Sequence, residues 1–274
     1  MNTLACDQFR ELVGQLVQVC PETETHDSET TVNEVSALVA WLDQTFESMA
    51  LEAGAIPIVS SDRIEKSVLE AAGFFESFSE EKLIDVRDGQ TRTPAVCYQC
   101  YPRLSDQEID ELNLWTCAAK CGRNEGCPEL GRFQTFHMRE IVLIGSAHQV
   151  REERERWMNK ISELARALGL QVDLRPAADC FFASEAGRGQ KLLQQIKGLK
   201  FELQLCADGP GWNMAIASFN LHETFFASRF RMKLRDGSDA YSGCVAFGLE
   251  RWALALALQL GPAQAFALAR EKAA

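Results

Sequence analysis

The feature that most restricts the fold is a series of short apolar segments between residues 95 and 247, interrupted by one long amphipathic pattern at about 148–169. The segments have strand-like lengths, and the long pattern is that of a helix. The segments lie at Ala95–Tyr98, Phe136–Ile144, Gln171–Leu174, Lys200–Cys206, Met214–Phe219, Phe225–Leu234 and Tyr241–Phe247. Many strands with few crossover helices predict an α+β fold, in which helices flank a mainly antiparallel sheet.

The N-terminal part of the chain has a different pattern. Apolar residues at helical spacing predict helices at 3–19, at about 32–53 and at 62–72. Between the last two, Pro57 stands within a short apolar run, Ala55–Val59. Because proline lacks the backbone N–H that a central strand needs, this run is predicted to be an edge or interface strand.

Charge and hydropathy exclude several classes of protein. The 274 residues include 39 acidic and 28 basic side chains, for a net charge of -11, which disfavours binding along a nucleic-acid backbone. No apolar run reaches the roughly 18 residues of a membrane-spanning helix. Near the N-terminus, Asp7, Arg10 and Glu11 interrupt the apolar core that a signal peptide requires. We therefore expect a cytoplasmic protein with no membrane association.

The chain contains ten cysteines, which in a protein without a secretory signal favour free thiols or metal ligands over disulfides. Two pairs, Cys97 with Cys100 and Cys117 with Cys121, resemble a structural zinc ribbon, although the second spacing is one residue too long. A second interpretation leaves every thiol buried and free of metal. Both remain open alternatives to the site described below.

A hairpin with nucleotide-binding chemistry is predicted between residues 123 and 140. Arg123 can form two parallel hydrogen bonds with a phosphate or carboxylate. Glu125 can accept from an amine, Arg132 adds a second cation in the loop, and Phe136 offers a flat face for a base. Taken alone, the same residues also fit an ordinary surface hairpin with an Arg–Glu pair.

A second constellation is a strand that turns at Gly248 into a helix with Arg251 in its first turn. The helix dipole favours anions at that end, so a cation placed there usually has an anion to hold. Taken alone, a solvated arginine beside Glu250 is the alternative.

In this order, the two constellations resemble motifs 2 and 3 of the class II aminoacyl-tRNA synthetases, and the helix at 32–53 with the Pro57 strand resembles motif 1. Six blocks are similar to the amino acid:[carrier protein] ligases, which are homologues of the catalytic core of the zinc-dependent, atypical seryl-tRNA synthetase. The blocks are Val96–Pro102, Arg132–Glu140, Ala178–Phe182, Leu199–Leu203, Ser218–His222 and Cys244–Arg251.

The resemblance implies a single catalytic domain over residues 1–274. Residues 1–90 would form N-terminal helices and dimer-interface elements, residues 91–260 the catalytic core, and no tRNA-binding domain would be present. The implied enzyme is a homodimer that activates a small amino acid, glycine or alanine, with ATP. It then passes the aminoacyl group to the phosphopantetheine thiol of a carrier protein.

The resemblance also implies the residues of the site. Zinc would be held by Cys97, Glu140 and Cys244, with a fourth position open for the substrate amino group. Catalysis would depend on Arg123, Glu125 and Arg251. The ATP-binding residues would be Arg123, Glu125, Arg132, Phe133, Phe136, Lys200, Ala217, Ser218 and Arg251. The amino acid would contact Glu140, Ser218 and Asn220. Magnesium would bridge the phosphates, with Glu202 as a candidate ligand.

Two other functions remain open, a non-catalytic module that binds an amino acid or adenylate and an enzyme that aminoacylates another acceptor. The acidic charge argues against tRNA as that acceptor. The segment 186–200 contains Arg188, Lys191, Lys197 and Lys200 and no acidic residue. It predicts a basic amphipathic helix that docks an acidic carrier protein, with a solvated helix as the alternative.

Overall fold

The computed structural model describes residues 29–124, 131–178, 196–206 and 213–270. Its centre is a seven-stranded sheet with the order β1-β6-β7-β12-β10-β9-β8. These strands are β1 (Ile56–Ile58), β6 (Asn113–Gly122), β7 (Thr135–Gly145), β8 (Val172–Pro176), β9 (Lys200–Cys206), β10 (Asn213–Glu223) and β12 (Tyr241–Gly248). All neighbours are antiparallel except the edge strand β1, which pairs in parallel with β6. The predicted α+β class and the edge position of the Pro57 strand are confirmed.

The remaining elements surround this sheet. The helices are α1 (Glu29–Glu52), α2 (Lys66–Ala71), α3 (Phe74–Ser77), α4 (Ala147–Ala167), α5 (Phe225–Phe230), α6 (Leu249–Leu260) and α7 (Pro262–Arg270). Three short strands, β2 (Arg63–Glu65), β3 (Asp85–Arg87) and β4 (Gln90–Arg92), form a small second sheet. A third, two-stranded sheet consists of β5 (Glu108–Ile109) and β11 (Lys233–Leu234). None of the described helices is long and apolar enough to span a membrane.

The main core lies between one face of the central sheet and the helices α1, α4, α6 and α7. Helix α1 contributes Leu38, Leu42 and Phe46, which recur at helical spacing and are fully buried. Phe46 stacks on Phe247 of β12 with the ring centroids 4.0 Å apart. The helical layer therefore covers one face of the sheet, and the other face is available for a site.

A buried ion pair joins α1 to the sheet. Successive side chains on a strand point to opposite faces, so Arg139 of β7 points towards α1 while Glu140 points away from it. The Arg139 guanidinium donates two hydrogen bonds to the Asp43 carboxylate, at 2.6 and 2.9 Å, and a third to the Thr116 hydroxyl at 3.1 Å. This pair holds β7, and with it Glu140, in a defined position under the helices.

The predicted strand at Ala95–Tyr98 is wrong, because residues Val96–Gln99 form a single turn of 3₁₀-helix. The Val96 backbone N–H donates to the Glu140 carboxylate at 3.0 Å instead of to a neighbouring strand. The turn packs on the open face of the sheet, so its apolar residues are buried without joining the sheet. A short buried apolar run fits both structures, which is why the pattern was ambiguous.

Two further boundaries differ from the prediction. The segment Phe225–Leu234 forms helix α5 followed by only two residues of strand, with Phe226 and Phe230 buried one helical turn apart. Within 62–72, residues Arg63–Glu65 pair with β4 and the helix begins only at Lys66. The predicted helix at 3–19 lies outside the described residues.

Candidate active site

The strand register places the predicted site residues on one face of the sheet. In β7 and β12, Glu140 lies opposite Ala246, two residues from Cys244, so both site residues share a face. Asn220 of β10 lies opposite Cys244. In β9, Lys200 lies opposite Asn220, and Ser218 lies opposite Glu202. Residues from four strands therefore converge on the face that the main helical layer leaves open.

Three of these groups form a compact cluster. The ligand atoms of Cys97, Glu140 and Cys244 all lie within 4.8 Å of one another. The three residues are 6%, 1% and 3% exposed, respectively. Among the described residues, this is the only group of three or more Cys, His, Asp or Glu side chains with this convergence. Two sulfurs and one carboxylate oxygen are ligands that suit zinc, and three protein ligands leave a fourth position open.

The Glu140 carboxylate itself favours a cation at this place. One oxygen accepts from the Val96 N–H, whereas the second is buried with no hydrogen-bond partner in the structure. A buried carboxylate oxygen without a partner carries a desolvation cost that a bound cation would relieve. The donor set and the unpaired oxygen therefore both fit a metal ion.

Without a metal, the pKa values of all three groups in this cluster are raised. Burial raises the pKa of Glu140 above its usual value. The hydrogen bond with Cys244, followed by burial, raises the pKa of Cys97 well above the usual thiol range. The hydrogen bond with Cys97 lowers the pKa of Cys244, but burial and the Glu140 charge outweigh it, so this pKa is also raised. A bound metal cation would lower the pKa values of the two thiols, because cysteine binds metals as the thiolate.

The zinc-ribbon alternative is wrong. Cys97 belongs to the cluster with Glu140 and Cys244, whereas Cys100 and Cys117 form a separate buried pair with their sulfurs 3.2 Å apart. Cys121 is buried farther along β6, opposite Phe136, and burial raises the pKa of its thiol strongly. The four cysteines thus do not assemble one metal site, and the two sequence pairs are split between different environments.

The predicted nucleotide residues of the hairpin are in contact. Arg123 follows the end of β6, and its Nε donates to the Pro94 carbonyl at 2.7 Å. The guanidinium carbon lies 5.3 Å from the centroid of the Phe136 ring on β7, which is cation–π distance. Both residues line the same cavity as the Cys–Glu–Cys cluster. Glu125 lies outside the described residues.

Arg251 reaches the cavity from the first turn of α6. Its Nε donates to the Gly131 carbonyl at 2.6 Å, and its Nη1 donates to the Ala215 carbonyl at 3.1 Å. Gly131 has a φ of 75°, and a Cβ there would lie 2.3 Å from the Met214 sulfur. At this positive φ a side chain would be strained and Met214 would have to move, so glycine favours the close backbone approach that orients the Arg251 side chain.

Every described residue predicted for the site lines one cavity of about 1100 Å³. Its lining includes Cys97, Arg123, Arg132, Phe133, Phe136, Glu140, Lys200, Glu202, Ala217, Ser218, Asn220, Cys244 and Arg251. Ala217 is also part of the buried core under the helices. Lys200 and Glu202 form an ion pair, with Nζ and Oε1 3.2 Å apart.

Several lining residues were not predicted from the sequence. Two aromatics and one lysine come from the region assigned to N-terminal elements, at Phe74, Phe78 and Lys82, while the turn Val96–Gln99 adds Tyr98 and α5 adds Phe225 and Phe226. Apolar aromatics at these spacings are typical of a core, so the sequence contained no signal that they face a cavity. His222 also lines it, near Cys244.

Comparison with known proteins finds similar sequences in two groups of ligases. The chain matches no protein-family model. It is 37% identical over 166 residues to amino acid–[acyl-carrier-protein] ligases 1 and 2 of Bradyrhizobium diazoefficiens, a match that covers 60% of this chain and 51% and 49% of those proteins. It is 27% identical over 199 residues to the type-2 serine–tRNA ligase of Methanopyrus kandleri, covering 66% and 36% of the two chains. The chain thus spans about half the length of the ligases, and less of the tRNA ligase.

Solved structures confirm the fold. The M. kandleri seryl-tRNA synthetase, in a complex with tRNASec of A. aeolicus, matches with a TM-score of 0.71 and 16% identity, covering 88% of this chain and 56% of the other. The Pyrococcus horikoshii seryl-tRNA synthetase, in a complex with ATP, matches with a TM-score of 0.68 and 16% identity, covering 92% and 58%. The class II synthetase-like prediction is therefore confirmed.

Proposed function

Since the chain is a homologue of the amino acid–[acyl-carrier-protein] ligases and is related to the type-2 serine–tRNA ligases, we propose that it activates a small amino acid with ATP and loads it onto a carrier protein. The observation that carries this proposal is the convergence of the Cys–Glu–Cys cluster, Arg123 and Arg251 on one cavity. A metal that holds the amino group and two arginines that bind the carboxylate and the phosphates would position the reactants for adenylate formation.

Cys97, Glu140 and Cys244 would hold the zinc ion. When bound, zinc would supply a Lewis-acid position that selects a free amino group. Asn220 and Ser218 lie beside this position, with Asn220 Nδ2 3.2 Å from the Ser218 hydroxyl, and would orient the amino acid. Tyr98, His222 and Phe226 border the same part of the cavity, and their bulk supports a substrate as small as glycine or alanine.

Arg123 would bind the substrate carboxylate and the α-phosphate, and Arg251 the γ-phosphate. Arg132 would reach the outer phosphates, Phe136 would stack on adenine, and Glu125 would accept from the adenine amine. The ATP site would be completed by Lys200, Phe133, Ala217 and Ser218. Magnesium would enter with ATP, with Glu202 as its candidate protein ligand.

The reaction would have two steps. A carboxylate oxygen of the amino acid attacks the α-phosphorus, and the bond to pyrophosphate breaks. The phosphopantetheine thiolate of the carrier then attacks the acyl carbon, and AMP leaves. An ionised carboxylate needs no general base, so the protein contributes mainly positioning and charge stabilisation in the first step.

The chain would act as one catalytic domain within a homodimer. Support for the dimer comes from the edge strand β1, where Ile56 is 47% exposed and the following Val59 is 85% exposed. An exposed apolar edge strand presents unpaired backbone N–H and C=O groups, so it favours pairing with a strand of a second copy. Of the proposed docking segment, Arg188 and Lys191 lie outside the described residues. Lys197 precedes β9 and pairs with Glu223 at 2.9 Å, and Lys200 begins β9 and lines the cavity.

Amino-acid-dependent exchange of labelled pyrophosphate into ATP tests the proposal across all proteinogenic amino acids. Exchange restricted to glycine or alanine supports it, and subsequent transfer to a phosphopantetheinylated carrier, with tRNA assayed in parallel, identifies the acceptor. Absence of exchange with every amino acid, in protein that binds ATP, would favour the non-catalytic binding module.

A further inference from the structure

His222 lies directly behind one of the candidate metal ligands. It is the residue at a register shift in β10, between Leu221 and Glu223, at the end of the pairing with β12. The shift brings His222 Nε2 to 3.7 Å from the Cys244 sulfur. His222 is not a member of the group whose ligand atoms converge, so it contacts the ligand Cys244 without being part of that group.

The other ring nitrogen has its own partners, which determine where the imidazole proton lies. Nδ1 is 3.2 Å from the Tyr101 hydroxyl and 3.4 Å from the Ser242 hydroxyl. Tyr101 is fully buried, and a phenol at neutral pH keeps its proton and can donate it. When Nδ1 accepts from Tyr101, a neutral imidazole carries its single proton on Nε2. The N–H then points at the Cys244 sulfur.

Aromatic contacts fix the orientation of the ring. The His222 ring lies edge-on to Phe226, at 4.9 Å and an interplanar angle of 85°, and edge-on to Tyr101, at 6.3 Å and 85°. Phe226 in turn stacks on Tyr101 with the centroids 4.1 Å apart. The ring therefore has little freedom to turn away from Cys244.

We propose that His222 is a positioning residue that donates Nε2–H to the Cys244 sulfur and stabilises it as a metal-bound thiolate. This inference rests on the metal centre of the proposed function. Two thiolates and one carboxylate carry three negative charges against the two positive charges of zinc, which leaves one excess negative charge in a buried site. Hydrogen bonds from N–H groups to sulfur disperse that charge, and outer groups of this kind tune metal ligands.

Asn220, which lies opposite Cys244 on the neighbouring strand β10, supports the same interpretation. Its Nδ2 lies 3.3 Å from the Cys244 sulfur, so this sulfur faces two nitrogen groups that can donate. Asn220 also belongs to the proposed amino acid site, and His222 lines the same cavity. Zinc affinity and the spectrum of the metal-bound sulfur are measured without substrate, so these readouts separate the effect of His222 on the metal ligand from any effect on substrate binding.

The experiment compares His222→Leu, which removes the donor, with His222→Gln, which retains an N–H donor. Tyr101→Phe removes the hydroxyl that fixes the tautomer but keeps the ring. His148→Leu is the matched control, because His148 is 80% exposed on α4. Zinc affinity is measured by competition with a chelator of known affinity. The thiolate-to-metal charge-transfer band is recorded after replacement of zinc by Co²⁺.

His222→Leu is expected to weaken zinc binding about 10–100-fold and to move the charge-transfer band to longer wavelength, since an unbonded sulfur gives up electron density more easily. His222→Gln should recover most of the affinity, and Tyr101→Phe should produce a smaller change in the same direction. Wild-type affinity and an unshifted band in His222→Leu and Tyr101→Phe would overturn the inference, as would His222→Gln binding as weakly as His222→Leu. Wild-type protein that binds neither metal would instead show that the metal centre itself is wrong. If His222→Leu does not fold, Tyr101→Phe and His222→Gln decide the question.

Discussion

Replacement of Arg251 tests whether the cavity carries out adenylate formation. Among the described residues, the Arg251 guanidinium donates hydrogen bonds to the backbone carbonyls of Gly131 and Ala215. Each neutral acceptor contributes about 0.5–1.5 kcal/mol to stability, so Arg251→Ala should lower the free energy of unfolding by about 1–3 kcal/mol. The protein should therefore remain folded at 25 °C.

The effect on catalysis should be larger than the effect on stability. Loss of one preorganised group that stabilises transition-state charge costs about 3–4 kcal/mol, or roughly 10²–10³-fold in rate. Arg251→Lys keeps the positive charge but cannot reproduce the two directed donors, so its rate should fall between those of wild type and Arg251→Ala. The matched control is Arg156→Ala, because the Arg156 side chain is 71% exposed on α4.

The assay is amino-acid-dependent pyrophosphate exchange, with kcat and KM for ATP measured separately and urea unfolding measured on the same preparations. Arg251→Ala should lose about 10²-fold or more in kcat/KM, whereas Arg156→Ala should match wild type. Exchange by folded Arg251→Ala within about threefold of the control would refute the assignment of Arg251 to the phosphates. A loss that follows the unfolded fraction would show a structural role only.

Three further outcomes follow from the structure. Cys244→Ser should lose stoichiometric zinc in elemental analysis, because a hydroxyl is a much weaker zinc ligand than a thiolate, and full zinc occupancy in this variant would contradict the ligand assignment. Arg139→Met should lower the free energy of unfolding in urea by about 1–3 kcal/mol, because it removes the charged donor shared by the partly exposed carboxylates of Asp43 and Glu47; a change under about 0.5 kcal/mol would show that these ion pairs contribute little. In chelator-treated protein, the raised pKa of Glu140 contributes stability that is complete below its unfolded pKa and is lost as the pH rises through its folded pKa. Wild type should therefore lose stability relative to Glu140→Gln as the pH rises above the ordinary glutamate pKa, and parallel curves would contradict the raised pKa.

A large part of the catalytic face could be predicted from the order of motifs in the sequence. Glu140 and Cys244 stand on strands whose side chains alternate, and antiparallel neighbours bring such residues onto one face. The arginine at the start of α6 was predictable for a similar local reason, because a cation at a helix N-terminus needs an anion. These features depend on spacing within one element or between adjacent elements.

Segments that pack without joining the sheet could not be predicted in the same way. The run around Cys97 and the run Phe225–Leu234 are short and apolar, so their periodicity does not distinguish a strand from a helical turn. Their structure depends on which surface they cover, and for Cys97 on the Glu140 carboxylate that accepts the Val96 N–H. Such partners are distant in the sequence, so no local pattern records them.

By itself, the sequence determined the α+β class and the position of α1, because these depend on periodicity along the chain, whereas the three residues of the candidate metal cluster followed from the resemblance of the sequence blocks to a known family. Only the tertiary structure decided that Cys97, Cys100, Cys117 and Cys121 divide among three environments and that aromatics from α3 and α5 line the cavity. It also decided the contact between His222 and Cys244, which depends on a one-residue shift in β10. A shift of one residue changes the face to which a side chain points, and it is set by packing between strands rather than by either strand alone.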